Sequence, residues 1–129
     1  MILGYVLRGP KVHPPFHILI GILNNPDYLR GTMRVVELFA GVGGFRIGFE
    51  GPPGNSNRDG AHVVWANQWE PSTKVQHAAL VYVSKWGLKE TDDPHVYTSG
   101  KDDVFVNKDI ATIEAESIPD HDLICGGFP

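Results

Sequence analysis

A chain of 129 residues with a net charge of -4 and a pI near 5.8 holds one small domain with a modest core. That charge is not the basic footprint of a nucleic-acid-binding surface, so phosphate contacts to DNA, if the protein acts there, lie mostly elsewhere. One cysteine excludes an intrachain disulfide and fits a reducing cytoplasm, and the longest apolar run, residues 16–23, is far short of the roughly 20 residues of a membrane helix.

Residues 1–32 stand apart from the rest of the chain. Pro10, Pro14, Pro15 and Pro26 punctuate two short apolar runs of strand length that carry no motif. Met33 falls just before the first patterned segment. The expectation is an extension of unknown role over 1–32, upstream of a natural start at Met33, and a partial domain over 33–129.

The segment Val35-Val36-Glu37-Leu38-Phe39 then reads as a buried strand. Gly41, Gly43 and Gly44 come next as a tight bend with no Cβ in the way of a ligand, and a helix runs on from there through Glu50. A strand, a glycine turn and a helix form a nucleotide or cofactor crevice at the carboxyl edge of an α/β sheet. Arg46 stands where the dinucleotide fingerprint G-x-G-x-x-G needs its third glycine, and no Lys-Ser/Thr pair succeeds the glycines as in a phosphate loop. The plainer alternative is a turn that only lets helix pack on strand.

A loop rich in glycine, proline and asparagine occupies 51–60, and 61–67 predicts a second buried strand. Glu70-Pro71-Ser72-Thr73 has the composition of a helix start, with Val75, Ala78, Ala79, Tyr82, Val83 and Trp86 as its apolar face. Residues 87–103 read as a polar surface excursion. A third strand is expected at 104–106, a weak helix at 111–117, and a fourth strand with its exit turn at 122–127. Strands alternating with helices give an α/β fold with a parallel sheet, whose ligand contacts gather at the strand ends after Phe39, Asn67, Val106 and Cys125.

The stretch from Arg34 to Glu50, with its Phe-Ala-Gly-x-Gly-Gly core, closely resembles the first motif of the cytosine-5 DNA methyltransferases. Asn67-Gln68-Trp69-Glu70, Asp109-Ile110 and the closing run from Pro119 to Pro129 match three further pieces of that family in order, covering 33–129. The resemblance implies the N-terminal half of a Rossmann-like, S-adenosylmethionine-dependent methyltransferase domain. It also implies that Phe39, Ala40, Gly41, Val42, Gly43 and Gly44 cradle S-adenosyl-L-methionine. Gln68, Trp69 and Glu70 would then meet ribose and base, Asp109 and Ile110 the adenine edge, with Gly127 and Pro129 at the mouth of the catalytic loop.

One departure stands out. Gln68 occupies the place where many members carry a ribose-binding carboxylate, so it accepts a hydrogen bond without charge assistance. A core aromatic is the alternative reading for Trp69, and a helix cap for Asp109.

The family's nucleophilic cysteine is expected one residue beyond Pro129, which leaves no catalytic residue in this chain. Cys125 lies on the fourth strand, before that loop, and is expected to be a buried, protonated and inert thiol. The 6 histidines show no metal-ligand spacing, so no metal is expected, and His121 reads as a surface neighbour of the fourth strand.

Taken together, these readings describe the cofactor half of a restriction-modification enzyme in a bacterial or archaeal cytoplasm. DNA is the partner of the whole enzyme, and a second chain is a candidate for the missing motifs. The fragment by itself is expected to be inactive. A bare outer edge on the fourth strand should make it prone to self-association. Two rivals stay open: a nicotinamide- or flavin-binding oxidoreductase domain, and a non-catalytic module that pairs with another protein.

Overall fold

The computed structural model describes residues 6–7, 31–55 and 60–127, the first pair through its backbone only. Seven strands form one sheet: β1 (Val6–Leu7), β2 (Met33–Leu38), β3 (Ala61–Asn67), β4 (Lys89–Glu90), β5 (Val96–Thr98), β6 (Val104–Val106) and β7 (Leu123–Gly126). Their spatial order is β1-β7-β2-β3-β6-β5-β4. The central four, β7, β2, β3 and β6, run parallel, while β1, β5 and β4 add antiparallel margins. Among the described residues, two helices, α1 (Gly44–Glu50) and α2 (His77–Lys85), complete the regular structure with short 3-10 turns at Ile110–Thr112 and Ala115–Ser117. This is the expected Rossmann-like α/β fragment.

The sheet is covered on both faces, as parallel strands require. On one face Val35, Val63, Ala66, Phe105 and Cys125 pack beneath Phe45 and Phe49 of α1 and Ala79, Tyr82 and Val83 of α2. On the other, Val36, Val64, Trp65 and Val106 are covered by Ile110, Ile113 and Ile118. Each fully buried side chain of this kind is worth roughly 1.5–3 kcal/mol in transfer from water. A bulge sets the register between β2 and β3: Val35 faces Val63 but Val36 faces Trp65. The extra residue lets Val64 and Trp65 both fall on the second face.

Several expectations are corrected. The helix predicted from Glu70 begins at His77. In the intervening turns the Glu70 N–H donates to Gln76 Oε1 (2.7 Å), and Gln76 Nε2 donates back to the Glu70 carbonyl (2.8 Å). A side chain thus satisfies backbone groups that a helix would have used, and Val75 is left 48 % exposed instead of joining the apolar face. The weak helix at 111–117 is two separate 3-10 turns. The excursion at 87–103 contains the β4–β5 hairpin, which widens the sheet.

The outer edge of β7 is not bare: Val6 and Leu7, from the extension, pair antiparallel with Ile124 and Leu123. Apart from this pair, the apolar runs of the extension lie outside the described residues.

Candidate functional site

Because β2, β3, β6 and β7 are parallel, their carboxyl ends emerge on one rim. The first exit is the glycine turn. Phe39, Gly41 and Gly43 all have left-handed backbone, at φ 53°, 56° and 84°. Such a conformation is costly for Phe39, which has a Cβ, and strain of this kind gathers at functional sites. Ala40 N–H extends the sheet ladder to the Asn67 carbonyl (2.9 Å), and Gly43 N–H closes the turn on the Ala40 carbonyl (2.9 Å).

The glycines of the turn serve different needs. A Cβ at Gly43 would lie 2.3 Å from the Trp86 ring, so this residue allows α2 to approach. A Cβ at Gly41 or Gly44 would meet nothing within 4 Å, so at these positions the backbone borders open space. Val42 is exposed between them, and Ala40 is buried in the core.

At the second exit, Gln68 Oε1 accepts from the Gly41 N–H at 2.8 Å. Trp69 is half-buried and belongs to neither apolar cluster, and the same is true of Phe39. The core reading of Trp69 therefore fails. Glu70 receives the Ala78 N–H on Oε2 (3.2 Å) at the start of α2, which gives its carboxylate a capping role.

At the third exit, Asp109 is exposed and accepts from the Ala111 N–H (3.0 Å), the cap that was its alternative reading, while Ile110 packs on the second face of the sheet. At the fourth, Gly127 lies against Phe39: a Cβ there would sit 3.8 Å from the Phe39 carbonyl oxygen. Pro129 is outside the described residues. The sheet thus brings Phe39 to Gly44, Gln68 to Glu70, Asp109, Ile110 and Gly127 to one rim.

Sequence reasoning missed what holds these exits together. Asn67, 1 % exposed, donates from Nδ2 to the carbonyls of Val106 (3.0 Å) and Lys108 (2.8 Å). Asn107 donates from Nδ2 to the Gln68 carbonyl (2.6 Å) and to Gln76 Oε1 (3.3 Å). Four neutral amides tie the rim, and the only sequence signal was an Asn at the end of two successive apolar strands.

The opposite rim was also missed. Arg46, 3 % exposed, donates from Nε to Glu50 (3.1 Å), from Nη2 to Asp103 (2.8 Å) and from Nη1 to the Tyr82 hydroxyl (3.4 Å). Its guanidinium lies 5.1 Å from the centre of the Trp86 ring. Glu50 Oε1 bonds His62 Nδ1 (2.8 Å) and the Val63 N–H (2.7 Å).

Burial pushes the Glu50 and Asp103 carboxyls up, but hydrogen bonds from His62 and Arg46 respectively, with others around them, outweigh it and hold both below the usual range. A cleft of about 290 Å³ opens beside this cluster, lined by Arg46, Glu50, Asp103, Trp86 and Asn55. Its buried charges already answer one another, and its Trp86 is the ring that a Cβ at Gly43 would meet.

Between the rims, Glu37 sits at the centre of β2 with no exposed surface. The Tyr82 hydroxyl donates to its Oε2 (3.3 Å), while Oε1 has no hydrogen-bond partner. Burial raises this carboxyl to about 7. Cys125, opposite Glu37 on β7, is buried; desolvation, then the Glu37 charge, pushes its thiol up to about 12. The thiol is therefore buried and protonated at neutral pH.

The sequence carries the same signature as this geometry. The family model described as C-5 cytosine-specific DNA methylase matches residues 33–129. The chain belongs to this family. It is 41 % identical over 99 residues to the type II methyltransferase M.Sau3AI of Staphylococcus aureus and 32 % identical over 97 residues to M.HhaI of Haemophilus parahaemolyticus. These alignments cover 75 % of the chain but only 20 % and 21 % of the two relatives. M.SsoII of Shigella sonnei is 29 % identical over 104 residues, 81 % of the chain and 20 % of that protein. The chain thus spans about a fifth of the length of the curated relatives it matches. No solved structure gave a significant match.

Proposed function

We propose that this chain is the cofactor-binding part of a DNA (cytosine-5-)-methyltransferase of a bacterial restriction-modification system, and that its carboxyl rim receives S-adenosyl-L-methionine. The observation that carries the reading is the pairing of open glycine backbone at Gly41 and Gly44 with two aromatics, Phe39 and Trp69, that stand at the same rim outside both cores. An adenosyl group needs this combination: flat apolar surface for the base and close backbone approach for the rest.

In this reading Phe39, Ala40, Gly41, Val42, Gly43 and Gly44 shape the floor, and Trp69 covers the base. Gln68 and Glu70 lie beside the ribose, Asp109 and Ile110 read the adenine edge, and Gly127 and Pro129 lead into the catalytic loop. The bound cofactor supplies an electrophilic methyl group. Residues 1–32 act as an extension to this domain, and the protein works in the cytoplasm.

The reaction also needs a thiolate that adds to the cytosine ring. The sole cysteine, Cys125, is buried in the sheet with its thiol pushed up to about 12, which supports a nucleophile from elsewhere. The chain by itself is therefore expected to transfer no methyl group. DNA is the substrate of the whole enzyme, with the nucleophile and the basic surface supplied by polypeptide outside these residues, from a second chain if the enzyme is split.

Titration calorimetry with S-adenosylhomocysteine and, separately, with NAD tests the proposal. Heat from the first and none from the second is expected, and the reverse would favour an oxidoreductase domain. Silence from both, with the chain folded, would remove the cofactor reading.

A further inference from the structure

The Gly41 N–H has one partner, the Gln68 side chain, and it is reached across 27 residues of sequence. Gln68 is itself held from behind. Its N–H donates to the Val106 carbonyl (3.3 Å), and its carbonyl accepts from Asn107 Nδ2 (2.6 Å). The residue is therefore fixed to the third strand exit by its backbone and to the first by its side chain. Gly41 is in a left-handed conformation with its N–H directed to Gln68 and its open side bordered by nothing within 4 Å. Without an acceptor inside, that peptide has no reason to keep this orientation, and the space beside it would be lost when the turn relaxes.

The other end of the Gln68 amide is free: its Nε2 makes no hydrogen bond among the described residues, and the side chain is half-buried. We propose that Gln68 is a positioning residue, whose oxygen locks the glycine turn in the open form that a ligand enters. The ligand-facing half of this inference rests on the cofactor reading above; the clamp does not. A neutral amide satisfies the Gly41 N–H without bringing a desolvated charge into the crevice.

The test is amide hydrogen exchange by NMR on the full 129-residue chain, with Gly41 as the reporter. Gln68→Met removes the acceptor at similar volume. Gln68→Asn keeps the polarity but shortens the reach by a methylene, which preserves the test if the first variant folds poorly. Both should speed Gly41 exchange by about ten-fold, the worth of one ordinary hydrogen bond. Ala40, bonded to Asn67 instead, should not change. Gln68→Glu retains an acceptor and should restore Gly41 protection.

Titrating the same proteins with S-adenosylhomocysteine should show about ten-fold weaker binding for the Met and Asn variants and recovery in the Glu variant. Unchanged Gly41 exchange in both truncating variants overturns the proposal, as does measurable binding of equal affinity across all of them. If the native chain binds no S-adenosylhomocysteine while Gly41 protection tracks Gln68 as described, the clamp stands and the cofactor reading fails.

Discussion

The two rims of this sheet are finished with different materials. At the carboxyl rim Asn67, Gln68, Gln76 and Asn107 tie three strand exits with uncharged amides, most of them bonded to backbone. At the amino rim Arg46, Glu50, Asp103 and His62 form a buried ionic cluster. An amide costs little to bury once bonded and leaves its surroundings uncharged. A buried ion pair roughly breaks even while whole and becomes a liability when one partner goes.

The largest expected effect comes from breaking the ionic rim. Arg46→Leu strands Glu50 and Asp103 inside the protein and should cost about 3–5 kcal/mol in urea unfolding. Next is Gly43→Ala, which places a Cβ 2.3 Å from Trp86 at a φ of 84°. Overpacking and a left-handed alanine together should cost on the order of 3 kcal/mol, read as a lower unfolding midpoint.

Glu37 sharpens the comparison through pH. Folded, its carboxyl keeps a proton to about pH 7, whereas its ordinary value is 4.5. Its contribution is therefore fully present below pH 4.5 and declines as pH rises to 7, by about 3 kcal/mol at most. Glu50 and Asp103 act in the opposite sense, losing their contribution as pH falls below the ordinary carboxylate range. Glu37→Gln should remove the decline between pH 5 and 7 in denaturant titrations while leaving the acid limb intact. The smallest effect belongs to Arg34→Ala. Its pair with Asp102 is 2.8 Å long but solvent-exposed, and its loss should change stability by about 0–1 kcal/mol.

The carboxyl rim was far more legible in the sequence than the amino rim. Val35, Val36 and Val63 to Trp65 announced their strands by β-branched and aromatic content, and the glycines announced the turn. Parallel topology then predicted where the exits converge. The hairpin at Lys89–Glu90 and Val96–Thr98 escaped notice because its strands are only 2 and 3 residues long, with exposed or half-buried side chains and no run of alternation. The start of α2 was misplaced because the Gln76 side chain does the work of backbone there, a substitution no periodicity can reveal.

The ionic cluster was illegible for a different reason. Arg46 and Glu50 are an i,i+4 pair on α1, but His62 and Asp103 become their neighbours only through the fold. Arg46 did signal something, as an arginine where a dinucleotide site would need glycine, but its partners across the sheet could not be named from spacing.

The sheet also ends asymmetrically. On one side lies the two-residue margin Lys89–Glu90, both side chains exposed and of opposite charge, a short polar border that discourages further pairing. On the other, β1 meets only Leu123 and Ile124 of β7, leaving Cys125 and Gly126 without a neighbouring strand on that side among the described residues. The extension thus covers β7 over its first two residues, the half nearer the amino rim, with the chain's own backbone.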